Sequence, residues 1–108
     1  GHIWFNLTEP TSQNKSVLCV NLTCLDDECP DDECPISNAD YAWIKDDYPT
    51  TVAFSRARIW NSEKIKECLK SGALRKPKQG DIPPATITKI VKAASTAREL
   101  STDFKSML

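Results

Sequence analysis

The chain has 108 residues, 40% of them apolar and 27% charged, with a formal net charge of −1. That length supports one domain with a single modest core, and the composition excludes wholesale disorder. The longest uninterrupted apolar run is Val17-Leu18-Cys19-Val20, too short for a membrane-spanning helix.

The charge is unevenly distributed. Residues 26–48 hold nine acids against Lys45, whereas residues 55–108 hold twelve Lys or Arg against five acids. Two oppositely charged faces that attract one another within one fold are one expectation, and steering of a charged partner is the other.

Ile3 to Thr8 alternates, with Ile3, Phe5 and Leu7 on one side, which predicts a half-buried strand. Glu9 to Lys15 is polar and contains Pro10 and Asn14, so a loop is expected. Ser16 to Cys24 alternates again, with Leu18, Val20, Leu22 and Cys24 as the apolar set. Asn6-Leu7-Thr8, Asn14-Lys15-Ser16 and Asn21-Leu22-Thr23 are three glycosylation sequons. A glycan on Asn21 would turn the Leu18 set to the core, taking Cys24 inward and leaving Cys19 on the sugar-bearing face.

Cys19, Cys24, Cys29 and Cys34 recur every five residues, and Asp-Asp-Glu-Cys-Pro is written twice, over 26–30 and 31–35. Beside the sequons, this density predicts disulfides in an oxidising compartment: a secreted or cell-surface glycoprotein whose signal peptide has been removed. The expected bonds are Cys29–Cys34 and Cys24–Cys68. Cys19 is then the odd thiol, free to link a second copy as a disulfide-linked homodimer.

Asp26, Asp27, Glu28, Asp31, Asp32 and Glu33 are hard oxygen donors and weak calcium candidates, because no glycine stands where an EF-hand needs its turn. A four-cysteine zinc site is disfavoured, since the neighbouring carboxylates add to the thiolate charge. No cofactor is expected.

Residues 49–60 are rich in β-branched and aromatic side chains and predict a strand. Asn61 is a good N-cap for a helix over 62–71 that ends at Gly72, with Cys68 turned to the core. Leu74 to Gly80 is a basic loop. From Ala85 to Met107 the apolar positions Ile87, Ile90, Val91, Ala94, Ala97, Leu100 and Phe104 share one face, which predicts one long amphipathic helix.

The expected architecture is α+β over a single domain, 1–108. A disulfide-stapled β region of about three strands (1–60) is covered by a short helix and a long C-terminal helix (61–108).

The one histidine is His2, at the terminus, so schemes that need a histidine base lack it. The function expected is therefore non-catalytic: an interaction module that binds another protein, extracellular or on a cell surface. Trp43 and Tyr48, or the basic Arg75, Lys76 and Lys78, are the candidate contacts. A sequence pI near 5.8 argues against nucleic acid. A cysteine-rich toxin or inhibitor presenting loop 25–36 is the first alternative, and a calcium-dependent module the second.

Overall fold

The structure is a computed structural model that describes residues 3–45 and 47–108, so Gly1, His2 and Asp46 lie outside the described residues. Four antiparallel strands form one sheet: β1 (Trp4–Asn6), β2 (Ser16–Cys24), β3 (Pro35–Ile36) and β4 (Thr50–Asn61), in the order β1-β2-β4-β3. Three short helices follow, α1 (Ser62–Ser71), α2 (Pro84–Ala94) and α3 (Thr102–Lys105). The class is α+β.

The long β2–β4 ribbon is the frame. Ser16 pairs with Asn61 at one end and Cys24 with Thr50 at the other. Leu18, Val20 and Leu22 join Val52 and Phe54 in a core that also takes Ile90, Ala94, Ala97 and Leu100 from the helical half. The second face of β2 is covered as well, with Val17, Cys19 and Asn21 all buried. Two-sided burial defeats an inward/outward assignment of β2 by parity alone.

The register slips between Cys19 and Asn21, where Phe54 to Ala57 oppose Val20 alone. This wide bulge is held from outside the sheet. Buried Asp31 accepts the Ser55 backbone N–H (2.9 Å) and the Ser55 hydroxyl (2.5 Å).

Three expectations are corrected. The first is the long C-terminal helix. α2 stops at Ala94, and Ser101 caps the separate one-turn α3 by accepting Phe104 N–H at 3.2 Å. Ser95 and Thr96 turn their hydroxyls onto the Lys92 and Ala93 carbonyls, and the Arg98 N–H goes to Glu33 at 3.0 Å. A tertiary acceptor has replaced the helical one. The apolar face stays buried without one continuous helix.

The second is the disulfide framework, since all five cysteines are free. Cys24 and Cys68 cannot meet. Cys24 lies beside Thr50, whereas α1 begins beyond Asn61 at the far end of the ribbon. The eight steps of β2 span roughly 26 Å, and α1 can recover only about 10 Å by Cys68. Cys34 is buried in the core, whereas Cys29 points its thiol at the Asp31 carbonyl, 3.4 Å away. The fourth strand, β3, is the piece that anchors Cys34: its carbonyl accepts Val52 N–H at 3.1 Å.

The third concerns glycosylation at the Asn21 sequon. Asn21 is 2% exposed and sits opposite Trp4 in the paired sheet, so its side-chain amide is closed to a glycan in the folded protein.

Candidate functional site

β1 lies at one edge of the sheet and bounds an open groove of about 990 Å³. Its other wall is the segment from Leu74 to Ile82. Two left-handed glycines frame that segment, which is why the chain can turn so sharply at each end. Gly72 (φ 82°) caps α1, and Gly80 (φ 81°) closes a turn onto the Pro77 carbonyl. The wall is tied down: Tyr41 donates its hydroxyl proton to the Gly80 carbonyl at 2.7 Å. Burial raises the Tyr41 pKa, with Asp81 adding to the effect, so this donor keeps its proton.

The groove floor is aromatic on both sides of β1. Trp4 and Trp60 pack tilted at 6.3 Å between ring centroids on one side, where Ile65 and Leu69 of α1 also line the groove. Trp43, Ile82 and Ile87, packed against the core, line it as well. Most of α1's apolar stripe is therefore only half-buried: it faces the groove rather than the core. Arg58 lies over the Trp4 ring, 5.5 Å from its centre.

Cys19 is at the bottom. Its thiol donates to Asn6 Oδ1 at 3.1 Å, and burial pushes its pKa up to about 11. It is a protonated thiol near neutral pH, unsuited to nucleophilic attack. Being 3% exposed, it also offers no surface from which to link a second chain.

The structure sorts the sequence-derived candidates. Trp43, Arg75, Lys76 and Lys78 all line the groove. Tyr48 is 68% exposed and takes no part in it. Asn14 is exposed but accepts Ser16 N–H at 2.9 Å in a turn, and Asn6 is committed to Cys19.

The acidic repeat is spent on structure. Asp26 accepts Glu28 N–H, Asp31 holds Ser55, and Asp32 and Glu33 grip Arg98 at 2.7 and 2.9 Å. Asp27 and Glu28 are exposed, and no group of three or more potential metal ligands forms among the described residues. Asp40, its carboxylate held below the usual range by the Ser37 N–H and by Lys89, joins the acidic segment to α2.

Sequence reasoning missed Trp4, Trp60, Ile65 and Leu69 as site residues. The available signal was a tryptophan on the polar side of the 3–8 alternation. A bulky aromatic there needs a second apolar surface to rest on.

No helix among the described residues is long and apolar enough to cross a membrane. No protein-family model, curated protein or solved structure matches the chain.

Proposed function

We propose that this chain is a protein-binding module that captures a segment of another protein in the groove along β1, without catalysis. The observation that carries the reading is the convergence of Trp4, Trp43 and Trp60 with Arg75, Lys76 and Lys78 around one open groove. Half-buried aromatics with nearby cations are the composition of protein-contact hot spots. A cavity of this size is at the upper end for small-ligand pockets, and it is open along a strand rather than closed around a molecule.

The toxin or inhibitor alternative loses support, because loop 25–36 does not protrude as a free element. Asp31 fastens it to β4, and Asp32 and Glu33 fasten it to Arg98. The calcium reading lacks a ligand cluster among the described residues.

The test is panning of displayed random peptides on the full chain. Enriched peptides should bind wild type and lose about tenfold or more in affinity on Trp60→Ala and on Arg75→Glu with Lys76→Glu. Peptides that bind all these variants equally would place recognition elsewhere.

A further inference from the structure

We propose that the occupant of the groove is an extended, acidic, apolar-alternating segment of a partner protein that adds to the sheet as a fifth strand beside β1. This rests on the protein-binding reading above and specifies its mode.

The backbone register supplies the first argument. Leu7 N–H donates to the Leu18 carbonyl at 2.8 Å, and Phe5 is paired with Val20 in the same register. Hydrogen-bonded and non-hydrogen-bonded pairs alternate along an antiparallel ladder. Trp4 and Asn6, opposite Asn21 and Cys19, are therefore the non-bonded pairs. Their N–H and C=O groups point away from β2, toward the groove. The strand ends where Thr8 Oγ1 takes the Leu18 N–H at 2.9 Å, a side chain standing in for the next carbonyl.

The two edges of the sheet differ in protection. β3 is only two residues long and begins with Pro35, which has no N–H to offer. β1 is also short, three residues, but it carries no proline, lysine or bulge. An edge that keeps its outward N–H groups along an apolar groove is a template for strand addition.

Side chains of an added strand alternate, so both of its faces need a place. One set would meet the side of β1 bearing Trp4 and Trp60, the other the side bearing Ile3 and Phe5, near Trp43 and Ile82. Charge selects the partner. Arg58, Arg75, Lys76 and Lys78 are exposed beside this edge and have no acidic partner among the described residues, against Glu9 and Asp81 in the lining. A second copy fits poorly, because β1-to-β1 pairing would bring two such basic walls together.

The probe is the tightest acidic peptide from the panning, synthesised as is, with its alternate backbone amides N-methylated, and with Lys in place of its acids. The expected result is a loss of about tenfold or more for one of the two N-methyl registers and for the Lys version. Asn6→Pro removes the outward N–H without removing a β1–β2 bond and should weaken the unmodified probe similarly. Asn6→Ala keeps the N–H and loses the side chain, so the proline variant should bind about tenfold or more weaker than the alanine variant, and equal binding by the two would overturn the role of this N–H.

If peptides bind in a Trp60-dependent way but neither N-methyl register matters, strand addition is overturned while the groove reading stands. Absence of any enriched peptide overturns both. So does dimerisation through β1, seen as a concentration-dependent mass in sedimentation that Asn6→Pro abolishes. Equal binding of the Lys version overturns the acidic partner.

Discussion

The acidic segment 26–33 and the basic segment 75–78 are comparably dense in charge and have opposite fates. Asp31, Asp32 and Glu33 reach across to Ser55 and Arg98, so the acidic segment works as a clamp between the sheet and the helical half. Arg75, Lys76 and Lys78 reach no acid among the described residues and stay exposed on the groove wall. Charge density therefore says nothing by itself about function. What distinguishes the two is whether the fold supplies partners.

The comparison breaks most readily at Asp31. Asp31→Ala strands the Ser55 N–H at the bulge and should cost about 3 kcal/mol in denaturant unfolding; Asp31→Asn, which keeps an acceptor, should cost about 1 kcal/mol. Near-wild-type stability of the alanine variant would mean that the acidic segment is no clamp.

The cysteines around the acidic repeat come next. The Cys19 thiol has its pKa raised from an ordinary 9.0 to about 11. A raised folded-state pKa contributes stability that is complete below pH 9 and is lost as pH rises through 11, roughly 2–3 kcal/mol in all. Cys34 is also raised by burial, so it should share the trend. The readout is the unfolding midpoint against pH for wild type and Cys19→Ala. Alkylation followed by mass mapping should label exposed Cys24 first and Cys19 and Cys34 last.

Arg98→Ala should cost about 1 kcal/mol, reduced by added salt, because its ion pairs are largely exposed and its backbone bond to Glu33 survives. Smallest of all, Arg75→Glu with Lys76→Glu and Lys78→Glu should leave stability within about 0.5 kcal/mol while weakening peptide binding. A large loss of stability there would make the basic wall structural and erase the contrast.

Much of the local structure was legible in the sequence. The 16–24 alternation, the β-branched run before Asn61 and the Asn61 cap each act over a few neighbouring residues. The cap is seen directly, with Asn61 Oδ1 accepting from Glu63 and Lys64 at 2.9 and 3.2 Å. The site was half legible. Trp43, Arg75, Lys76 and Lys78 stood out by composition, but Trp4 and Trp60 are 56 positions apart in the sequence and meet only through the β2–β4 ribbon.

By itself the sequence determined the mixture of strands and helices, the Asn61 cap and the Gly72 stop, because propensity, capping and periodicity are short-range. Tertiary structure decided the rest. It split a continuous apolar face at Ser95 by offering Glu33 to Arg98. It buried Asn21, opposite Trp4 in the sheet. It parted Cys24 from Cys68 by the length of a strand, and it left β1 as the open edge. Each of these depends on which distant groups become partners, and strand order and register set that.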